Sequence, residues 1–266
     1  MNRVVALLTD YGYQDTYVTQ LKAVLTSMAP SVSLFDLTHG VPGGDRRSGA
    51  YLLKTAVPWL PEGTIIVAVV DPGVGTERRA VAVQAMRHLY IAPDNGLLSL
   101  ALRIDPPQQA VALDNPRYFL PTVSATFHGR DVFAPVAAHL ANGVPLEQIG
   151  SPIEPQSLIQ LADIEPAIEH ERIITHLLHV DRFGNLIFDL HEEVYRRWLP
   201  PNGKVVVEFC GELIPLKRTF GDVSEGEPVA YFGSSGHLEI AVNADSAADY
   251  FDIELSMLDN AELYIV

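Results

Sequence analysis

Ile65-Ile66-Val67-Ala68-Val69-Val70-Asp71-Pro72-Gly73-Val74-Gly75-Thr76-Glu77-Arg78-Arg79 is the stretch on which the reading of this chain turns. Six consecutive aliphatic residues describe a strand covered on both faces, as strands of parallel sheets are. The strand runs into a carboxylate, Asp71, and Pro72, Gly73 and Gly75 then impose a loop. Loops beyond the carboxyl ends of strands are where open α/β sheets bind ligands. Asp71 and Arg78 stand seven apart across this loop and can fold back toward each other. Taken alone, the loop reads as well structurally, with Asp71 capping a turn and Arg78 in a surface ion pair, as it does functionally.

Upstream, Val4–Leu8 forms a second buried strand, also ending at an acid, Asp10, with Tyr11-Gly12-Tyr13 as its turn. Tyr17, Val18, Leu21, Val24, Leu25 and Met28 then share one helical face, so the spacing predicts a helix from about Asp15 to Met28. A strand over Val32–Leu37 and a helix from about Asp45 to Trp59 lead into the central strand. This alternation predicts an α/β domain, a largely parallel sheet with helices on both faces. Ala80–Ala85, Leu89–Ala92 and Ala110–Leu113 read as further strands, Leu97–Leu102 and the segment through Val132, Val136, Ala137 and Leu140 as helices.

Pro152, Pro155 and Pro166 punctuate a stretch of weak periodicity that reads as a linker, giving domains at 1–165 and 166–266. From Ile173 the pattern changes to short alternating runs: Ile173–Val180, Leu186–Leu190, Lys204–Cys210, Pro228–Phe232, Leu238–Val242 and Glu262–Val266. Turn signals separate them and helical spacing is scarce, which predicts a C-terminal antiparallel β barrel or sandwich domain.

The 266 residues carry a formal charge of -15, which sets the chain against nucleic acid and suits a cationic small molecule. A single cysteine, Cys210, excludes an intrachain disulfide and a cysteine-based metal cluster. Val4–Leu8 is too short for a signal peptide or membrane span, so the expectation is a cytoplasmic protein without membrane association. Gly73-Val74-Gly75 lacks the third glycine of a dinucleotide loop, and no Gly-Lys-Ser/Thr follows it. Gly233-Ser234-Ser235-Gly236 reads as a tight turn and not as a nucleophile elbow. Nine histidines raise the question of a metal, but His176 and His179 fall on opposite faces of a strand, and His179 with Asp181 makes half a site at most. No metal is expected.

What remains is polar residues at strand ends: Asp10, Asp71, Arg78, His128, Asp181 and Asn185. Each alone is more readily structural. Asp10 is placed to cap the helix at Tyr17, His128 is an ordinary loop histidine, and Asn185 follows a glycine in a turn. Two parallel strands that both end in aspartate nevertheless put two carboxylates on one rim, and a carboxylate matches the paired hydroxyls of a ribose.

Five motifs then agree: Leu8-Thr9-Asp10-Tyr11-Gly12; Asp71 through Arg79; Ile91-Ala92-Pro93-Asp94-Asn95-Gly96-Leu97-Leu98; Thr126-Phe127-His128-Gly129-Arg130-Asp131; and Phe183-Gly184-Asn185. In order and spacing they resemble the S-adenosyl-L-methionine (SAM) hydroxide adenosyltransferases, relatives of the SAM-dependent fluorinase and chlorinase. The resemblance spans nearly the whole chain. It implies cleavage of SAM at the ribose 5′ carbon by water activated as hydroxide, giving adenosine and L-methionine, with no cofactor.

By the same resemblance, Asp71, Arg78 and His128 are the catalytic set and Asp10 meets the ribose hydroxyls. Asp181 and Asn185 hold the methionine end and the adenine, Phe183 and Phe220 line the purine, and Ser234 and Ser235 lie in the turn that meets the methionine end. It also implies a homotrimer with sites at subunit interfaces. The halide-using relatives carry a neutral residue in place of Asp71, lack the histidine, and (in the fluorinase) have a long insertion where this chain has only Met86-Arg87-His88. The fluorinase also has arginine at Ser235 and tryptophan at Gly44. The chemistry suits the residues. A sulfonium expels a neutral thioether and needs no acid, so Arg78 and a charged His128 would serve hydroxide while Asp71 takes or holds the proton. The alternatives are a SAM or adenosine sensor without turnover, which would not need Arg78 or His128, and a SAM-dependent halogenase.

Overall fold

The computed structural model describes residues 3–169, 171–199, 205–253 and 260–265, which fall into two compact units, Met1–Leu161 and Ala162–Val266. The division comes after Leu161 because the linker stretch is tied into the first unit. The Ile159 amide donates to Asp94 Oδ1 (2.8 Å) and the Leu161 amide to Ser99 Oγ (2.9 Å).

The first unit runs β1 (Val4–Thr9), α1 (Tyr17–Met28), β2 (Ser33–Thr38), α2 (Arg46–Ala56), β3 (Ile65–Val69), β4 (Ala80–Ala85), β5 (Leu89–Pro93), α3 (Ser99–Ile104), β6 (Pro107–Ala112), α4 (Ala134–Ala141), α5 (Leu146–Ile149) and β7 (Ser151–Ile153). One seven-stranded sheet has the order β2-β1-β3-β5-β4-β6-β7. It is parallel through β2, β1, β3 and β5, and β4, β6 and β7 join antiparallel.

The aliphatic run of β3 serves two cores at once. Ile65, Val67 and Val69 face a core shared with Leu21 and Leu25 of α1 and Val136 and Leu140 of α4. Ile66, Ala68 and Val70 face the opposite core with Leu53 of α2 and Ala101 of α3. Alternation of a strand's side chains makes an unbroken apolar run compulsory there. The edge strand β7 was not expected: it is short and contains Pro152, and proline belongs on sheet edges because it donates no ladder bond.

Asp10 does not cap α1. That helix begins at Tyr17 with Thr16 at its N-cap and no side-chain cap, because the Asp10 carboxylate is occupied elsewhere. Asp45 does cap α2, accepting from the amides of Arg47 (3.0 Å) and Ser48 (3.0 Å).

The second unit runs β8 (Ala167–Ile168), β9 (Arg172–Val180), β10 (Leu186–His191), α6 (Glu192–Trp198), β11 (Val205–Phe209), β12 (Glu212–Ile214), β13 (Pro228–Phe232), β14 (His237–Val242), α7 (Ala247–Tyr250) and β15 (Asn260–Ile265). Its antiparallel sheet has the order β12-β11-β15-β9-β10-β14-β13, with β8 added on β9. Leu177, Phe188, Leu190, Phe209, Leu238 and Ile240 are buried together inside it. A single bridge joins Leu216 to Ala230, so no closed barrel forms among the described residues. Lys204 and Val266, the outer ends of two expected strands, lie outside the described residues. Helix α6 lays Val194, Tyr195 and Trp198 on that core and carries Glu192 and Glu193 in its first turn and Arg196 and Arg197 in its last, as its dipole favours.

Candidate active site

Beyond β3 the chain turns back on itself twice. The Val74 amide bonds the Asp71 carbonyl (3.2 Å), and the Thr76 amide and hydroxyl bond the Gly73 carbonyl (3.2 and 2.7 Å). This returns Arg78 to Asp71. Its Nε lies 3.0 Å from both carboxylate oxygens and its Nη2 lies 2.5 Å from Oδ2. The guanidinium also lies over the Phe133 ring, 5.5 Å from its centroid. Gly75 has φ +77°, and a side chain there would strike the backbone carbonyl of Ala125, so two loops meet at closest range at a residue with no Cβ.

The second of those loops carries His128. Its Nδ1 lies 2.9 Å from Arg78 Nη2. Arginine has only donors, so Nδ1 is the acceptor and the ring is neutral with its proton on Nε2. Burial, and then the Arg78 charge, hold the imidazole below its ordinary value, in agreement with the geometry. This corrects the expected charged His128, since a cation beside a guanidinium would remove the acceptor that Arg78 uses. The chain leaves His128 through a single π-helical turn, Gly129–Phe133, a form that recurs at functional sites. Asp131 anchors the loop by accepting from the Ser124 amide (2.8 Å) and from Arg130 Nε (2.6 Å).

Asp10, at the end of the neighbouring strand, accepts from the Gly44 amide (2.9 Å). Burial raises its pKa, with the nearby Asp71 charge acting in the same direction. The structure therefore brings Asp10, Asp71, Arg78 and His128 to one rim. Arg78 and His128 also line a cleft of about 310 Å³ with Thr76, Leu113, Phe119 and Val132.

Sequence reasoning missed the supports of this rim. Thr9 Oγ1 lies 2.7 Å from His39 Nδ1 and accepts from the Tyr11 amide (3.2 Å), while the His39 carbonyl takes the Gly12 amide (2.8 Å). The Asn95 side chain donates to the Val70 carbonyl (2.9 Å), one residue before Asp71. The Pro93-Asp94-Asn95-Gly96 motif held the signal for this, whereas His39 carried none.

In the second unit, Asp181 organises a turn: Oδ1 accepts from the Phe183 and Asn185 amides (2.8 and 2.9 Å) and Oδ2 from Asn185 Nδ2 (3.0 Å). Phe183, Asn185 and Phe220 line a cavity of about 460 Å³ with Ala241, Val242, Ala244 and Asp245. Phe183 and Phe220 are 77% and 55% exposed, large apolar faces turned to an open space. Sequence reasoning missed the four residues of the 241–245 stretch, three small apolar side chains and the carboxylate Asp245. Asp181 stands behind the turn and does not line the cavity. Ser234 and Ser235 do not line it either: they occupy the turn between β13 and β14, closed by the Gly236 amide on the Gly233 carbonyl (2.9 Å).

Of the histidines weighed as metal ligands, His176 is engaged by Asp189, with Nδ1 2.6 Å from Oδ2. Among the described residues no group of three or more histidine, cysteine, aspartate or glutamate side chains is arranged to hold a metal ion.

The chain is thus an α/β unit with an acid–guanidinium–imidazole chain on the rim of its sheet, followed by an antiparallel unit with a cavity flanked by two phenylalanines. The chain matches the SAM hydroxide adenosyltransferase N-terminal domain over residues 5–150 and the C-terminal domain over residues 175–257, and it belongs to that family. It is similar to the (R)-S-adenosyl-L-methionine hydrolase of Thermus thermophilus, 46% identical over 96% of this chain and 98% of that one. It is 41% identical to the (R)-S-adenosyl-L-methionine hydrolase of Salinispora tropica over 94% of each chain. Fluorinases are more distant relatives, at 26–28% identity. An uncharacterized conserved protein of Thermotoga maritima has the same fold, with TM-score 0.87 and 33% identity over 98% of this chain and 99% of that one.

Proposed function

We infer that this protein hydrolyses S-adenosyl-L-methionine, water displacing L-methionine from the ribose 5′ carbon to leave adenosine. The observation that carries the reading is the continuous chain Asp71–Arg78–His128 at the carboxyl ends of parallel strands. The names of the relatives at 41–46% identity support it.

The leaving group is a neutral thioether, so the enzyme's work lies in the nucleophile. Water approaches C5′ opposite the sulfur. As the C5′–O bond forms and the C5′–S bond breaks, the water loses a proton to the Asp71 carboxylate, since the His128 acceptor nitrogen is already taken by Arg78. Arg78 faces the developing negative charge on oxygen, and His128 offers Nε2–H as a second donor. The neutral ring serves better than a charged one, because it lets Arg78 donate to Nδ1 and keeps the guanidinium fixed between its two partners. Asp10 takes the ribose hydroxyls. Phe183, Phe220 and Asn185 hold the adenine, and Asp181 with Ser234 and Ser235 holds the methionine end. No metal or added cofactor takes part. The proposed setting is the cytoplasm, and the proposed assembly is a homotrimer with sites at subunit interfaces, for which light scattering gives the mass.

Purified protein incubated with SAM should yield adenosine and methionine in equal amounts by chromatography, unchanged by added chloride. Absence of adenosine above the uncatalysed rate would refute the activity, and a chloride-dependent 5′-chloro product would point to a halogenase.

A further inference from the structure

One buried carboxylate in the second unit has no part in the scheme above. Glu239 sits on β14 directly opposite Tyr231 of β13 and is 9% exposed. Burial and this carboxylate together hold the Tyr231 phenol above its ordinary pKa. The carboxylate packs so closely on the Gly233 backbone that any side chain at 233 would overlap it. The strand places it beside the cavity: Glu239 and Ala241, two apart on β14, point the same way, and Ala241 lines the cavity. Across the pair, the Tyr231 ring meets Phe220, another lining residue, at 6.5 Å between centroids. Glu239 and Tyr231 therefore stand between the cavity and the Gly233–Gly236 turn. A nucleoside seated in the cavity with its 5′ arm toward that turn passes this carboxylate.

The geometry points to Glu239 as a specificity-determining residue of this site, the group that favours an adenosine with a positively charged 5′ arm over one with a neutral arm. The inference rests on the function proposed above and adds how the site selects its substrate. Burial costs the carboxylate its hydration and the Asp181 charge opposes its ionisation, so its pKa is raised, and no cation among the described residues acts against this. Two positive charges on SAM qualify as its partner, the sulfonium and the amino-acid ammonium.

Three non-reacting probes separate them. Sinefungin carries a protonated amine in place of the sulfonium together with the ammonium, S-adenosylhomocysteine carries the ammonium alone, and 5′-methylthioadenosine carries neither. Calorimetric titration of wild type and Glu239→Gln should show sinefungin weakened about tenfold by the substitution and 5′-methylthioadenosine held within about twofold. S-adenosylhomocysteine falling with sinefungin identifies the ammonium as the charge that is read; its staying with 5′-methylthioadenosine identifies the onium. Tyr231→Phe keeps the charge and should keep the preference, whereas a merely structural role for the pair would make the two variants behave alike. Should Glu239→Gln fail to fold, Glu239→Asp carries the test by retaining the preference for sinefungin. Equal weakening of sinefungin and 5′-methylthioadenosine, or weakening of neither, overturns the inference while leaving SAM hydrolysis intact. A wild-type protein that binds none of the three overturns both.

Discussion

At the scale of single residues, the site depends on what each side chain is able to donate or accept. Arg78 makes contacts along two directions at once, to a carboxylate and to an imidazole. A lysine has one compact ammonium and no fork, so Arg78→Lys should lower kcat about 100-fold or more with a much smaller change in KM, by steady-state assay. The pH profile follows from His128. Its pKa lies below the ordinary 6.5, and the working form is the neutral one. Turnover should therefore stay level as pH falls to about 6.5 and decline only below it. Turnover that rises as pH falls below that value would mean instead that the ring works as a cation. Asp71 and Arg78 were legible as a pair from their spacing. The neutral state of His128 was not, because it depends on which ring nitrogen faces the guanidinium, and that is fixed by fifty residues of intervening chain.

At the scale of elements, β3 is the member through which both cores of the first unit communicate. Ile66 is fully buried on one face and Val67 on the other. Ile66→Ala should cost about 2–5 kcal/mol in urea unfolding, the range for a large-to-small change in a packed core. The loop after β3 answers to a different constraint. Gly75→Ala introduces strain at φ +77° and drives the loop against Ala125, so it should cost about 2 kcal/mol and reduce turnover by more than that stability loss explains. Comparing kcat with the folded fraction at the same temperature checks this. The strands of the first unit could be read because a short, unbroken aliphatic run bounded by turn residues suits a strand covered on both faces and little else. Strand β7, helix α6 and the tie of Ile159 and Leu161 to the first unit could not. Edge pairing and amide bonds to Asp94 and Ser99 leave no hydrophobic period, and the apolar face of α6 is only the three residues Val194, Tyr195 and Trp198 in a seven-residue helix.

For the molecule as a whole, four imidazoles (His39, His88, His128 and His139) are pushed below 6.5, in each case chiefly by burial. The unfolded chain takes up protons at these positions before the folded one does, so stability is complete above about pH 6.5 and is lost as pH falls below it. Asp10 and Glu239, whose raised pKa values favour the protonated folded form, act in the opposite sense above their ordinary 3.8 and 4.5. The four imidazoles titrate within this range, so the melting temperature should fall between pH 7 and pH 5, as differential scanning calorimetry reads. The fold class and the strand-end acids could be recovered from pattern. The cavity of the second unit could not, because the alanines and valine that shape it are the commonest filling of any strand. The spacing of the catalytic set along the chain carries one last consequence. Acid and guanidinium come from one short loop, whereas their imidazole arrives from a distant segment that must first be docked by long-range folding. A chain cut short before residue 128 would therefore carry both members of the ion pair and lack the imidazole that Arg78 meets.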